Sequence, residues 1–182
     1  GKARAAVVLP DNVLFADGDG ENNRKDLMEK CNLHTILRLP TGIFYAQGVK
    51  TNVLFFDRGT KDTDNTKNVW IYDLRTNMPS FGKTNPLQRS NFEEFLNCYC
   101  AGHLQDRKET YSEETPDGRW RKYSYEQIFE RDKTNLDISW IRSGAAEDER
   151  TLAELLEEIE EKASNINIAV EALKDLLGEL EE

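Results

Sequence analysis

Residues 33–59 read L-H-T-I-L-R-L-P-T-G-I-F-Y-A-Q-G-V-K-T-N-V-L-F-F-D-R-G, which is two apolar segments joined by a long loop. The segments at residues 34–39 and 52–57 are rich in Leu, Ile, Val and Phe and have the length of buried strands. The loop between them is too long for a tight hairpin turn, and it contains two aromatic residues and a lysine. Loops of this kind carry function more often than architecture. The stretch therefore predicts two strands that hold a functional loop.

The other predicted elements surround this stretch. They are a buried strand at residues 4–9, a further strand at residues 69–74 and short helices at residues 23–31, 92–99 and 125–132. Pro10 ends the first strand because it lacks the backbone N–H that a strand uses for pairing. Asn22 or Asn23 has the side chain of an N-cap for the first helix. Residues 78–90 are predicted to be irregular, and residues 105–122 to form an exposed polar loop.

The order of these elements indicates part of a larger sheet. Strand, helix, strand, loop and strand follow one another in residues 4–74, which is typical of the closing half of a mostly parallel α/β sheet. Only one crossover helix is predicted there, so we expect the opening half of the sheet to lie elsewhere in a longer protein. The chain of 182 residues is long enough for one hydrophobic core.

The net charge is concentrated at the C-terminal end. The chain has 24 basic and 34 acidic residues, a net charge of -10, and residues 147–182 alone hold 13 acidic and 3 basic residues. The rest is balanced, so the overall acidity neither excludes nor supports nucleic-acid binding, which depends on local basic clusters.

No apolar run approaches the roughly 18–20 residues that span a bilayer. Three cysteines without disulfide-framework spacing favour a reducing cytosol, so we expect a cytoplasmic protein.

Residues 152–180 carry an unbroken heptad pattern. Apolar residues recur at alternating spacings of four and three, at Leu152, Leu156, Ile159, Ala163, Ile166, Val170, Leu173, Leu177 and Leu180. Thr151 and Glu154 have the spacing of a capping box. Leu155, Ala169 and Leu176 widen the apolar stripe, as in a helix that packs against two neighbours. We expect this helix, about 45 Å long, to dock on another chain; packing against its own body is the alternative.

Several short motifs lack the residues that their chemistry requires. A Gly-Asp-Gly sequence at residues 18–20 lies where a dinucleotide-binding turn would be, but it has no third glycine, and the acidic residues around it would repel phosphate. These acids do not have calcium-loop spacing either, so a solvated acidic turn is predicted. Cys98 and Cys100 have the wrong spacing for zinc, and His103 does not complete four ligands. His34 is predicted to be a structural histidine. The residues alone therefore give no complete catalytic constellation and no metal site.

Three stretches carry a resemblance to a known family. Residues 33–59, the sequence A-A-V-V-L-P-D-N-V-L-F at residues 5–15 and the sequence N-L-D-I-S-W-I-R at residues 135–142 together resemble the methyltransferase (modification) subunit of type I restriction-modification systems. The resemblance covers most of residues 1–142. It implies a Rossmann-like class I methyltransferase fold and transfer of a methyl group from S-adenosylmethionine to the 6-amino group of adenine in duplex DNA.

Two hallmarks of the family do not occur in this sequence. Its cofactor loop and its N-P-P-F/Y catalytic motif are both missing, and Asn85-Pro86-Leu87 shares only a dipeptide with the latter. The resemblance therefore implies a C-terminal fragment with no catalytic residues of its own. Residues 1–79 would be the C-terminal half of the methyltransferase α/β domain, residues 80–146 a mixed helical and irregular extension, and residues 147–182 a long docking helix. We expect such a fragment to bind no S-adenosylmethionine and to be inactive alone.

The resemblance also implies roles for the loop residues. An adenine inside a duplex must be flipped into a pocket and held there by stacking, for which Phe44 is the first candidate and Tyr45 the second. Packing of Phe44 in the core is the alternative. The predicted residues are, in the target-base pocket, Phe44, Tyr45, Pro40 and Gly42; at the DNA backbone, Lys50, Thr51 and Asn52; and at the pocket edge, Pro10, Asp11 and Asn12. The last three serve either the pocket or only the end of the first strand.

The implied partners follow from the same resemblance. They are duplex DNA, the specificity subunit bound through the heptad helix, a second methyltransferase subunit and restriction subunits, in a bacterial or archaeal cytoplasm and without a membrane. Two other hypotheses remain open at the level of sequence. One is a non-enzymatic assembly module that presents a coiled-coil helix, and the other is a different α/β nucleotide enzyme with a helical tail.

Overall fold

The computed structural model describes residues 3–44, 49–79 and 81–144, together with Ala163 and Val170. The chain divides into two compact units, Gly1–Ser143 and Gly144–Glu182. In the second unit only Ala163 and Val170 are described beyond its first residue, and both are helical, so the rest of the predicted heptad helix lies outside the described residues. No helix in the described part of the chain has the length and apolar character needed to cross a membrane.

The first unit is built on a five-stranded sheet. Its strands are β1 (Arg4–Pro10), β2 (Cys31–Arg38), β3 (Thr51–Arg58), β4 (Asn68–Asp73) and β5 (Trp120–Ser124), in the spatial order β1-β3-β2-β4-β5. Its helices are α1 (Asn12–Phe15), α2 (Asp19–Lys30), α3 (Glu93–Tyr99) and α4 (Tyr125–Phe129), with short 3₁₀ segments at Arg89–Phe92, Leu104–Asp106 and Asp132–Thr134. The predicted mixture of strands and helices is thus confirmed.

The prediction of a mostly parallel sheet is wrong. Only β2 and β4 run parallel, whereas β3 pairs antiparallel with both β1 and β2, and β5 pairs antiparallel with β4. The reason lies in the long loop that follows β2. It contains no described helix, and a chain without a crossover helix returns most simply beside the strand it has just left, in the antiparallel direction. The sheet is therefore mixed.

Strand β1 is predicted to be buried, and this is wrong as well. It occupies the edge of the sheet, and most of its side chains are exposed. Val7 and Val8 are consecutive, so they point to opposite faces of the sheet, yet they are 37% and 51% exposed. Both faces of the sheet are therefore uncovered at this edge.

The core lies on both faces of the central strands. Ile36 and Ile71 belong to one buried cluster, which includes Leu14 of α1. The next residues along the same strands, Leu37 and Tyr72, belong to a second cluster. Since side chains alternate across a sheet, the two clusters lie on opposite sides. β2 and β4 are therefore covered on both faces, which explains their continuous apolar sequences.

Sequence and structure also differ at several element boundaries. Helix α2 begins at Asp19 and takes Gly18 as its N-cap, not Asn22 or Asn23, because the acidic residues favour the first turn, where the helix dipole is positive. The helix predicted at residues 125–132 ends at Phe129. The loop predicted at residues 105–122 runs into β5, which is recognisable only through its pairing with β4.

Candidate functional site

A shallow cleft opens at the carboxyl end of β1, where the chain turns into α1. Its volume is about 560 Å³, and its lining residues are Pro10, Asp11, Asn12, Phe15, Val49, Lys50 and Asp137. The three residues predicted for the pocket edge therefore lie beside Lys50, which the resemblance assigns to the DNA backbone. Phe15 and Asp137 were not predicted to take part in a site.

Arg75 holds Asp11, one of the residues that line this cleft, through two hydrogen bonds. Its Nη1 and Nη2 donate to the two carboxylate oxygens of Asp11 at 2.9 and 3.0 Å, a bidentate pair that fixes the orientation of both groups. Its Nε donates to the carbonyl of Leu39 at 2.9 Å and its Nη2 to that of Thr51 at 2.7 Å. One side chain thus ties together the ends of β1, β2 and β3, between which the functional loop departs.

Asn52, which the resemblance assigns to the DNA backbone, belongs to the same buried network. It is fully buried, and its Nδ2 donates to Asp11 Oδ1 at 2.6 Å. Thr51 is buried too. Neither side chain lies at the surface where a phosphate would be met. Both follow Lys50 at the start of β3, and they hold the loop while Lys50 alone of the three remains exposed.

A second buried network lies beside the first. Arg38 donates from Nη1 to Asp73 Oδ2 at 3.0 Å and from Nη2 to Asp137 Oδ1 at 3.2 Å. Asp73 also accepts from the backbone N–H groups of Arg75 and Thr76, each at 2.8 Å, and from the Thr76 hydroxyl at 2.7 Å. Burial acts to raise the pKa of Asp73, but these hydrogen bonds and the Arg38 guanidinium outweigh it and hold that pKa below its ordinary value of 3.8.

The loop that follows β2 presents an aromatic ring to solvent. Pro40 is buried and Gly42 has a φ of +86°, a backbone conformation that glycine adopts without strain. Phe44 is 52% exposed, so it does not pack in the core, the alternative that the sequence left open. Phe44 is not among the residues that line the cleft. Tyr45 lies outside the described residues.

The acidic turn before α2 does not fit a cofactor phosphate, because its carboxylates would repel the phosphate charge. Asp17 Oδ1 accepts from the backbone N–H of Gly18 at 2.7 Å, and Asp17 pairs with Lys133 at 3.0 Å. The hydrogen bond from Lys133 and then that from Gly18 lower the pKa of Asp17. Among the described residues, no group of three or more His, Cys, Asp and Glu side chains is placed to hold a metal ion.

Comparison with known proteins shows the family of the chain. Residues 1–150 match the model of the family described as N-6 DNA Methylase. The chain belongs to the N-6 DNA methylase family. Within this family it is a homologue of type I restriction enzyme methylase subunits. It is 46% identical over 177 residues to the StySJI methylase subunit of Salmonella typhimurium strain LT2 and to the EcoKI methylase subunit of Escherichia coli strain K12, and each match covers 83% of this chain and 34% of the relative.

A solved structure extends the likeness to the fold. The crystal structure of the EcoKI M protein superposes with a TM-score of 0.68 at 41% identity, covering 94% of this chain and 41% of that one. The mixed five-stranded sheet therefore matches the fold of a methylase subunit. The chain spans about a third of the length of the curated relatives that it matches.

The residues that organise the site of this N-6 DNA methylase homologue differ from those that the sequence suggested. Asp73 and Arg75 were not predicted from the sequence to take part in the site. The sequence contained a signal for both, since these charged residues come directly after the apolar run at residues 69–72. A charged side chain at the end of a buried strand needs a partner. The partners, Asp11 and Arg38, are far away in sequence, so only the fold reveals them.

His34 is a structural histidine, as predicted, and it gives a pH-dependent prediction. It is buried and its Nδ1 lies 2.9 Å from Thr35 Oγ1. Burial, followed by the nearby Arg107, lowers the pKa of His34 from 6.5 to about 4, against a smaller opposing effect of Asp57. Between pH 6.5 and about 4, His34 is therefore mostly protonated in the unfolded chain and mostly neutral in the folded chain. The contribution of neutral, buried His34 to the free energy of unfolding is fully present above pH 6.5 and is lost as the pH falls towards 4.

We expect His34→Asn to remove this pH dependence. The amide nitrogen of asparagine can replace Nδ1, so the variant keeps the local hydrogen bond but cannot titrate. Wild type should lose about 2–3 kcal/mol more than the variant between pH 7 and pH 4.5, measured by urea unfolding. His103→Asn is the matched control, since the His103 side chain is 74% exposed. A variant with the same pH slope as wild type would show that His34 is protonated in the folded state.

Proposed function

We propose that this chain is the part of a type I methylase subunit that forms one wall of the target-adenine pocket and docks the specificity subunit. The complete subunit would transfer a methyl group from S-adenosylmethionine to the 6-amino group of adenine in duplex DNA. The observation that carries the proposal is the cleft of Pro10, Asp11, Asn12 and Lys50, held by Arg75 beside the loop of Phe44, in a chain of the N-6 DNA methylase family.

The chemistry of adenine methylation explains these features. The amino group is inaccessible within the base stack, so the nucleotide must be rotated out of the duplex. An exposed ring on a fastened loop can stack on the extruded base, and such stacking contributes about 1–3 kcal/mol. Phe44 has that exposure, and Tyr45 remains the second candidate. Lys50 is the exposed cation among the residues that line the cleft, and in this proposal it would contact the DNA backbone.

The methyl donor would be held by the remainder of the subunit. This chain spans about a third of the length of the curated relatives that it matches, and its sequence lacks the family's cofactor loop. The sheet is open on the side where the remainder would join, since β1 pairs only with β3 among the described strands. The carbonyl of Ala3 accepts from the backbone N–H of Arg58, and the backbone N–H of Asp11 donates to the carbonyl of Lys50. Since the direction of the backbone groups alternates along a strand, those of Arg4, Ala6 and Val8 face away from β3. Further strands can therefore extend the sheet at β1.

The proposed partners are those of the type I complex. Residues 147–182 would bind the specificity subunit through the apolar heptad positions, with a second methyltransferase subunit and restriction subunits completing the assembly. The 13 acidic residues of this segment make it unsuitable for DNA, since phosphates repel carboxylates. DNA contact is accordingly assigned to the first unit.

We expect residues 1–182 alone to transfer no methyl group to DNA, while the complete subunit assembled with its specificity subunit does. The measurement is transfer of tritiated methyl groups, followed by chromatography of the nucleosides to identify N6-methyladenine. The coding sequence before Gly1 should also encode an N-P-P-F/Y motif. Turnover by the isolated chain would contradict the proposal that the methyl donor is held by the remainder of the subunit. A complete complex that never methylates adenine would favour the non-enzymatic assembly module.

A further inference from the structure

Phe15 is an exposed aromatic residue in the cleft wall to which the proposed function assigns no role. It ends α1, a helix of a single turn whose Leu14 is buried in the core. Phe15 itself is 43% exposed, so the buried neighbour anchors the position of an accessible ring. Phenylalanine gains substantially when its surface leaves water. An anchored, accessible ring inside a cleft therefore offers a flat apolar ligand a surface to stack on.

Asp137 lies in the same cleft and comes from the N-L-D-I stretch, which the proposed function also leaves without a role. The backbone N–H of Leu136 donates to the carbonyl of Leu14 at 2.9 Å. Each of these two bonded residues is followed directly by a residue of the cleft, Phe15 in one case and Asp137 in the other. The hydrogen bond therefore holds the ring and the carboxylate on neighbouring segments of one wall.

The carboxylate of Asp137 is oriented by Arg38. Its Oδ1 accepts from Arg38 Nη2 at 3.2 Å, and its backbone N–H donates to Asn135 Oδ1 at 2.7 Å. Arg38 cannot turn away, because its Nη1 is held by the fully buried Asp73. Within the described residues, Oδ2 of Asp137 has no hydrogen-bond partner, and the side chain is 30% exposed. One acceptor oxygen of fixed position thus remains for a ligand.

We propose that Phe15 and Asp137 together hold the flipped target base, Phe15 by stacking on its face and Asp137 by accepting a hydrogen bond from its 6-amino group. The inference rests on the proposed function and names two further residues that contact the substrate. A free carboxylate oxygen accepts from N–H groups and repels phosphate, so this part of the wall suits a ring that carries an amino group and does not suit a phosphate. The volume of about 560 Å³ lies within the range of small-molecule sites, about 300–1,000 Å³.

The experiment compares two DNA duplexes bound by the complete subunit with its specificity subunit. One carries adenine at the target position, and the other carries purine, which lacks the amino group. For each protein the measured quantity is the ratio of its affinity for the adenine duplex to its affinity for the purine duplex. The free energy of unpairing the target base is a property of the DNA, so it is the same for wild type and variant and cancels when their two ratios are compared. In Asp137→Asn the amide oxygen is expected to face Arg38, which leaves an NH₂ group against the amino group of adenine.

We expect Asp137→Asn to reduce the preference for adenine over purine by about 10- to 150-fold. Phe15→Ala should weaken binding of both duplexes by about 5- to 150-fold without changing their ratio, and Phe15→Leu should do so too, since it keeps apolar volume but has no ring. The controls are Phe129→Ala, an exposed ring outside the cleft, and Asp106→Asn, an exposed acid outside it. Unfolding midpoints are measured for every variant.

The outcomes separate this inference from the function on which it rests. A wild-type complex that does not methylate adenine removes the proposed function. A wild-type complex that methylates normally, with Asp137→Asn retaining the wild-type ratio, overturns the role of Asp137. Phe15→Leu and Phe15→Ala variants that bind both duplexes as the controls do overturn the role of Phe15.

Discussion

Replacing Asp73 by alanine is expected to lower the free energy of unfolding by about 3–5 kcal/mol, the usual cost of breaking a buried ion pair from one side. Asp73 is completely buried, and its carboxylate accepts four hydrogen bonds, including one from Arg38. Without it, Arg38 keeps its charge inside the protein with only Asp137 as partner. The backbone N–H groups of Arg75 and Thr76 also lose their acceptor.

Urea unfolding of wild type and Asp73→Ala measures this loss directly. The matched control is Asp26→Ala, since Asp26 forms a surface pair with Lys30 and its side chain is 57% exposed; about 1 kcal/mol or less is expected there. The depressed pKa of Asp73 adds a signature in acid. Its contribution is present above pH 3.8 and is lost as the pH falls through the lower folded pKa. A loss as small as that of the control would contradict the buried network.

Replacing Phe44 by alanine in the complete subunit is expected to reduce adenine methylation by about 5- to 150-fold, which corresponds to the loss of one base–aromatic stacking contact. The affinity for S-adenosylmethionine should not change, because Phe44 is proposed to contact the target base and not the cofactor. Phe44 is half exposed within the loop between β2 and β3, and Arg75 donates hydrogen bonds to the carbonyls of Leu39 and Thr51 at the two ends of that loop. Its removal therefore takes away contact surface and leaves the core intact.

Single-turnover methylation and equilibrium cofactor binding are the two measurements. Phe129→Ala is the control, because Phe129 has similar exposure but lies against Tyr125 and Lys25. The reverse pattern, with weakened cofactor binding and an unchanged methylation rate, would remove Phe44 from the target-base pocket. Equal losses in both variants would point to general destabilisation.

The strands that could be predicted from sequence are those at the centre of the sheet. Strands β2, β3 and β4 were located to within a few residues, because a short continuous apolar run bounded by turn residues is typical of a buried strand. Their directions were not predicted correctly, since direction depends on which strand the chain returns to, and no local pattern encodes that choice. Strand β5 has Trp120 buried and Lys122 exposed, and its polar sequence predicts a loop. It becomes a strand through pairing with β4.

The candidate site was predictable only in part, for a similar reason. The ends of strands point to a ligand edge, and Pro10, Asp11 and Asn12 do line the cleft with Lys50. Asn52 and Thr51 have the polar character of surface residues, but the fold buries them. Arg75, which lies more than twenty residues further along the chain, donates hydrogen bonds to the Thr51 carbonyl and to the Asn52 side chain. Such polar networks form between distant segments, so a sequence pattern identifies the members but not the pairs.

The most direct test of the account is a cross-link to the target base itself. The complete subunit and its specificity subunit are bound to a duplex in which 5-iodouracil replaces the target adenine, the complex is irradiated, and the cross-linked peptide is identified by mass spectrometry. The account predicts a cross-link to an aromatic residue of this chain, at Phe15 or Phe44. Efficient cross-linking only to residues outside this segment would contradict the claim that it forms the wall of the target-base pocket.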